Sequence, residues 1–145
     1  MKALSLWQPW ASAIALGHKR IETRHWSTDF RGPLAIHAAK LFTSEQRDFH
    51  IAEMRSWRLP RELPFGAIVA LARLVDVVPT EQLATHVGDV EALYGNYGPN
   101  RFGWLLADIE PLAVPVPFTG RQGLFHVPEE ALGFAPLLPA QGQLL

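Results

Sequence analysis

Three charged residues that can do chemistry lie close together near the start of the chain. Lys19, Glu22 and Arg24 fall within six residues, directly after Gly17. If this segment is a strand, Glu22 and Arg24 share one face, because side chains alternate with period 2, and Lys19 at the preceding bend can reach the Glu22 carboxylate. Such a cluster can bind a polar ligand, shift a pKa or tie a turn to a strand. The spacing alone leaves these three roles open.

Side chains suited to a nucleobase flank this cluster. Trp10 offers a ring on which a base can stack for ~1–3 kcal/mol, and Gln8 has both a donor and an acceptor for a base edge. We expect Trp10 to line a cleft and Trp7 to lie in the core. His37 lies in an apolar stretch, which favours a hydrogen-bonded core histidine, with ligand contact as the alternative.

Further candidates follow along the chain. Lys40 adds a cation for phosphate or polar groups. The glycine-rich segment 95–100 contains Tyr97 and is followed by Arg101, so it predicts an irregular rim of the cleft, although turn chemistry explains the segment equally well. The six histidines have no metal-binding spacing and there is no glycine-rich phosphate loop, so we expect neither a metal nor a nucleotide cofactor.

Three motifs in this order resemble the ASCH domain (activating signal cointegrator homology), a family of the PUA-like superfamily. They are Ser-x-x-Gln-Pro-Trp-Ala at residues 5–11, Gly-x-Lys-x-x-Glu-x-Arg at residues 17–24 and Gly-x-Leu-Ala-Ile-His at residues 32–37. The resemblance covers residues 3–128 and leaves 129–145 as a C-terminal tail. It implies a PUA-like α+β fold, a small mixed β-barrel flanked by short helices, with a cleft lined by the Lys-Glu-Arg motif.

The resemblance also implies a choice of functions. The family is linked to RNA or other nucleic acids, some small bacterial members are amidohydrolases of N4-acetylcytidine, and others have been assigned ribonuclease activity. We therefore expect binding of RNA or a modified nucleobase first, and hydrolysis of a modified nucleoside or of RNA as the alternative. A third possibility is an adaptor that binds a protein partner through the apolar tail.

The enzyme alternative assigns a role to each residue of the motif. Lys19 would be the base or nucleophile, Glu22 would relay protons or hold Lys19, and Arg24 would orient a carboxylate or oxyanion. In the N4-acetylcytidine hydrolases a threonine occupies the position of Glu22. An ionised Glu22 beside Lys19 favours the charged lysine, which works against a lysine base. Binding is therefore ranked first.

The charge is unevenly distributed along the chain. Residues 1–61 hold ten Lys and Arg against five Asp and Glu, a net of +5, whereas residues 62–145 hold three against nine, a net of −6, and the two give the total of −1. A cleft with one basic wall suits a small anion or a few phosphates better than a long duplex. The two halves can also interleave on a folded surface.

Local patterns place the elements. Pro9 and Gly17 frame a helix over residues 9–16, and a capping box of Thr43 and Gln46 starts a helix over 44–57 with an apolar side. Strands are expected at residues 3–6, 20–24, 33–39, 66–78, 102–109 and 114–118, and short helices or turns at 80–86 and 89–94. Scattered strands with a few helices favour a mixed barrel over a doubly wound sheet.

The bulk composition limits the class of protein. A chain of 145 residues is expected to form one domain, 1–145, with one core. No apolar run approaches the ~20 residues of a membrane span. The absence of cysteine fits a cytoplasmic location. The residues do not indicate an oligomeric state.

Overall fold

A six-stranded sheet forms the centre of the protein. The structure is a computed structural model, and it describes residues 1–133. The strands are β1 (Lys2–Leu6), β2 (Ile21–Arg24), β3 (Gly32–Ala38), β4 (Ala67–Pro79), β5 (Phe102–Pro117) and β6 (Leu124–His126), in the order β2-β5-β4-β3-β1-β6. Strands β1 and β3 pair in parallel and the other neighbours pair antiparallel. The sheet curls into a half-barrel, which confirms the α+β, barrel-like class.

Within residues 1–133, five short helices lie between or after the strands. They are α1 (Trp10–Ala15), α2 (Ser44–Arg55), α3 (Thr80–Leu83), α4 (Asp89–Leu93) and α5 (Glu129–Leu132). The predicted frame of α1 is confirmed, since it starts after Pro9 and is followed by Gly17 at φ 85°. The capping box at the start of α2 is also confirmed. None of the helices in residues 1–133 is long and apolar enough to cross a membrane.

The core is divided between the two faces of the sheet. Leu4 and Leu6 of β1 join one cluster with α1 and the fully buried Trp104, whereas Ala3 joins a second cluster with Phe125. This division follows from the alternation of side chains along β1. On the face of the second cluster, Ser5 of β1 and His37 of β3 are polar, and both line the candidate site described below.

Two sequence-based assignments of strands were wrong. Strand β5 is one continuous strand over Phe102–Pro117, where two strands were expected. Register shifts in its pairing with β4 allow it to continue through the expected gap. The three-residue strand β6 was not predicted. Helix α5 begins the segment 129–145 that was expected to be a C-terminal tail, and residues 134–145 of that segment lie outside the described residues.

The buried side of α2 is polar, contrary to the expected apolar side. Its buried residues are Gln46, His50 and Glu53, at helical spacing. Each has a partner: Gln46 donates to the Gln8 carbonyl at 2.8 Å, His50 bonds the Pro60 carbonyl at 2.7 Å, and Glu53 pairs with an arginine and a tyrosine. These polar groups tolerate burial because each is hydrogen-bonded, and Phe49 of the same helix adds an apolar contact with the cluster of Ala13, Leu59 and Tyr94.

Candidate functional site

Two adjoining cavities lie at the polar end of strands β1 and β3. The first has a volume of about 940 Å³ and the second about 580 Å³. Four residues line both: Ser5, Trp7, Arg24 and His25. We call the two together the cleft, since the shared residues make it continuous.

Trp7 is a prominent aromatic residue of the cleft, and its predicted place in the core was wrong. Its side chain is 55% exposed and borders both cavities. The physical reason is that Trp7 directly follows β1 and lies two residues after Ser5, so it lines the same cavities as Ser5, while Leu6 points to the core. The same alternation was readable in the sequence.

Arg24 is fixed between the two cavities. Its Nη2 donates to the Ser5 carbonyl at 2.6 Å and its Nε donates to Glu22 Oε2 at 3.0 Å. This pair confirms that Glu22 and Arg24 share one face of β2. Glu22 lines the second cavity only. A guanidinium anchored at two points retains further N–H donors for an anion while losing little conformational entropy.

Lys19 does not project into the cleft, contrary to expectation. Its side chain is fully buried and it lines neither cavity. The ammonium donates to the carbonyls of Ile21 at 2.6 Å and Tyr94 at 2.8 Å, and lies 3.5 Å from Glu22 Oε1, so the predicted contact with Glu22 is confirmed. Lys19 joins the end of α1 to β2 and to the segment after α4, which is a structural role.

The environment of Lys19 contains a carboxylate that the sequence did not indicate. Burial lowers the pKa of Lys19, and the charges of Glu22 and Glu91 partly offset that effect. Glu91 of α4 also accepts hydrogen bonds from the backbone N–H groups of Arg20 at 2.9 Å and Ile21 at 3.0 Å. Its contact with the motif was not foreseen, because 70 residues separate it from Ile21.

Gln8 is buried and cannot read a base edge. Its Nε2 donates to Ser12 Oγ and to the Pro64 carbonyl, each at 2.8 Å, and its Oε1 accepts from the Ser12 backbone N–H at 3.0 Å. The expectation of a base-reading amide is therefore wrong. The physical reason is that the first turn of α1 and the connector at Pro64 use both ends of the amide.

His37 is a hydrogen-bonded core histidine, as favoured, and it also borders the first cavity. Only 2% of it is exposed. Its Nδ1 lies 2.8 Å from Ser5 Oγ and its Nε2 lies 2.7 Å from the Phe118 carbonyl. Burial lowers its pKa, with the Phe118 contact acting in the opposite sense. The ring is therefore neutral at pH 7.

The first cavity is basic. Arg24, Lys40 and Arg121 line it, and no Asp or Glu of the described residues does so. The first two cations come from the positive part of the chain, as the charge distribution suggested, and Arg121 comes from the negative part. A cavity of this kind attracts anions even though the whole chain carries −1.

Of the three remaining predicted residues, Trp10 and Arg101 line the second cavity and Tyr97 does not. Trp10 lines it and stacks on Phe49, with centroids 5.4 Å apart. Arg101 lines it as well, and donates to the Thr23 carbonyl at 3.1 Å. Tyr97 lies beside this rim without lining either cavity, and its hydroxyl is buried with no hydrogen-bond partner among residues 1–133. Burial and the charges of nearby carboxylates raise the pKa of Tyr97.

A curled mixed sheet with a cleft at the ends of two parallel strands is the α+β, barrel-like architecture that the resemblance implies. The ASCH domain profile matches residues 4–113, and the chain belongs to this family. The domain of Zymomonas mobilis ASCH has the same fold, with a TM-score of 0.60 and 21% identity over 92% of this chain and 94% of that one. A point mutant of that protein superposes at a TM-score of 0.59 with 18% identity, covering 92% and 97%.

Two curated proteins are also similar in sequence. Activating signal cointegrator 1 of Mus musculus is 26% identical over 130 residues, which cover 86% of this chain and 22% of that protein. The Homo sapiens protein is 30% identical over 93 residues, covering 60% and 16%. The chain thus spans about a fifth or less of the length of these relatives.

Proposed function

We propose that this protein binds single-stranded RNA or a modified nucleobase within the cleft. The observation that carries the proposal is Trp7, a ring 55% exposed at the junction of both cavities, with cations on one side of it. Proteins that bind single strands combine aromatic rings for base stacking with positive side chains for the backbone. The ASCH family's association with RNA supports the same assignment.

The charges favour a short single strand over a duplex. Arg24, Lys40 and Arg121 line one cavity, which suits two or three phosphates. A base stacked on Trp7 would lie beside the second cavity, where Trp10 and the anchored Arg101 offer another ring and further donors. The two cavities together accommodate a few nucleotides only.

The lysine-based amidohydrolase or ribonuclease mechanism has less support. Lys19 would have to reach substrate, but its ammonium is buried and donates to two backbone carbonyls. Glu22, its nearest carboxylate, also pairs with Arg24. Binding is therefore the function that this geometry favours.

The test is the affinity of a fluorescent eight-nucleotide RNA, measured by anisotropy at low salt. Trp7→Ala should weaken binding by ~5–150-fold, the equivalent of one lost stacking contact. Trp57→Ala is the matched control, because Trp57 is 94% exposed and lines neither cavity. Equal effects of the two substitutions, or no binding by the wild-type protein, would reject the proposal.

A further inference from the structure

A serine and a histidine form a close pair at the wall of the first cavity. Ser5 of β1 and His37 of β3 are register partners in the parallel pair, and Ser5 Oγ lies 2.8 Å from His37 Nδ1. On the other side of the ring, Nε2 lies 2.7 Å from the Phe118 carbonyl. The hydroxyl, the imidazole and an orienting carbonyl thus form a chain of three hydrogen-bonded groups.

The hydrogen-bond partners assign the protons. A carbonyl can only accept, so His37 Nε2 carries the hydrogen and donates to Phe118. In the neutral ring Nδ1 then has a free lone pair, so the Ser5 hydroxyl donates to it. Because burial keeps the ring neutral at pH 7, Nδ1 is ready to take the serine proton.

Local structure fixes this geometry. The pairing of β3 with β4 shifts register between Ile36 and His37, and such irregularities re-aim side chains. The segment after β5 packs tightly on the pair, because a Cβ at Gly120 would lie 2.5 Å from His37 Cε1 and 3.2 Å from Ser5 Oγ. Phe125 packs edge-on against the imidazole at 5.8 Å.

Positive groups and backbone donors line the same cavity as the Ser5–His37 pair. Arg24 is bonded to the Ser5 carbonyl itself, and Lys40 and Arg121 line the same cavity. The backbone N–H groups of Thr119 and Gly120 have no acceptor among the described residues. Preorganised donors and cations of this kind stabilise tetrahedral intermediates of acyl transfer.

We infer that Ser5 is a nucleophile and His37 its general base, and that the pair hydrolyses a small acyl ester or amide carried by an anionic compound. This activity goes beyond nucleic-acid binding and does not rest on the proposed function, because the anionic character of the carrier follows from the cations of the first cavity. A nucleophile within hydrogen-bond reach of a base that a third group orients is the general pattern for such catalysis.

The steps balance with water as the co-reactant. Ser5 Oγ bonds to the acyl carbon while its proton moves to His37 Nδ1. The bond from that carbon to the leaving oxygen or nitrogen then breaks, and the leaving group takes the proton from Nδ1. Water attacks the acyl-serine, gives a proton to Nδ1, and the released Ser5 oxygen recovers it. The products are a carboxylic acid and an alcohol or amine.

The first experiment is labelling of the full chain with a fluorophosphonate, mapped by mass spectrometry. We expect one adduct per chain at Ser5, with the exposed Ser44 and Ser56 unmodified as internal controls. The rate should fall at least ~100-fold in His37→Gln, which keeps a donor for Phe118 but lacks a base. In the wild-type protein it should rise with pH through an inflection below 6.5, since neutral His37 is the active form.

The second experiment is hydrolysis of p-nitrophenyl acetate, which should show a burst of one equivalent that Ser5→Ala abolishes. The inference is wrong if Ser5 of the wild-type protein is not labelled, or if folded His37→Gln is labelled at the same rate as wild type. Neither result depends on a variant of Ser5. A wild-type protein that labels at Ser5 but binds no RNA would reject the proposed binding function alone. One that binds RNA but resists the fluorophosphonate would reject the nucleophile alone.

Discussion

At the scale of the residue, the charged motif divides into a buried part and a cleft part. Lys19 is enclosed, while Arg24, five residues later, lies between the cavities. Glu22 pairs with both Lys19 and Arg24. A single short motif thus supplies a structural tie and an anion-binding group, and the two roles can be separated by substitution.

Lys19→Met should destabilise the protein by ~2–4 kcal/mol, because it leaves the carbonyls of Ile21 and Tyr94 without a donor. Urea denaturation measures this loss. RNA affinity, measured where the variant is folded, should stay within about threefold of wild type. Lys2→Met on the exposed side of β1 is the control and should change stability by less than ~0.5 kcal/mol. If the variant is as stable as wild type but no longer binds RNA, Lys19 contacts the ligand and its structural assignment is wrong.

His37 predicts a pH dependence of stability. Its pKa in the folded protein lies below the value of ~6.5 expected when unfolded, so the unfolded chain takes up the proton first as pH falls. Its stabilising contribution is complete above that value and decreases below it. Urea denaturation at pH 7.5 and 5.5 should therefore show a larger loss for wild type than for His37→Gln. Glu53, whose pKa is lowered mainly by Arg58, affects only a more acidic range. Equal losses in both proteins would contradict the assignment.

At the scale of the element, patterns local in sequence were predictive and distant contacts were not. The Pro9–Gly17 frame and the capping box of α2 depend on neighbours, so α1 and α2 were placed to within two residues. The polar side of α2 depends on Gln8 and Tyr94, which lie 38 and 41 residues from their partners in the helix. The continuity of β5 depends on the register shifts of β4. The burial of Lys19 and the contact of Glu91 with Ile21 could not be predicted either, because both depend on residues distant in sequence.

The two ends of the α2 capping box should differ in their effects. Thr43→Ala removes one cap and should cost ~1 kcal/mol. Gln46→Ala removes the reciprocal cap and also the buried bond to the Gln8 carbonyl, so it should cost ~2–3 kcal/mol. Ser56→Ala at the exposed end of the helix serves as the control. Urea denaturation of the three variants ranks them, and a Gln46 effect no larger than that of Thr43 would contradict the link between α2 and the start of α1.

At the scale of the whole molecule, a nearly neutral chain contains a basic cavity. With two or three phosphates bound by Arg24, Lys40 and Arg121, log K should fall with log salt at a slope of about −1.4 to −2.1. Lys40→Ala should reduce the slope by about 0.7, while Lys2→Ala should leave it unchanged. Anisotropy titrations between 50 and 300 mM salt measure both. A slope steeper than about −4 would indicate a longer basic track than the cleft provides.

The unequal exposure of the tryptophans has a spectroscopic consequence. Trp57 is 94% exposed, Trp7 55% and Trp104 fully buried, so their emission maxima should be spread from red to blue. Replacing Trp57 with phenylalanine would remove the most solvated fluorophore and leave Trp7 as the most solvated of those that remain. A compound entering the cleft would then quench or blue-shift the long-wavelength edge of the spectrum. The protein thus contains its own optical reporter, which can follow occupancy in real time without an attached dye.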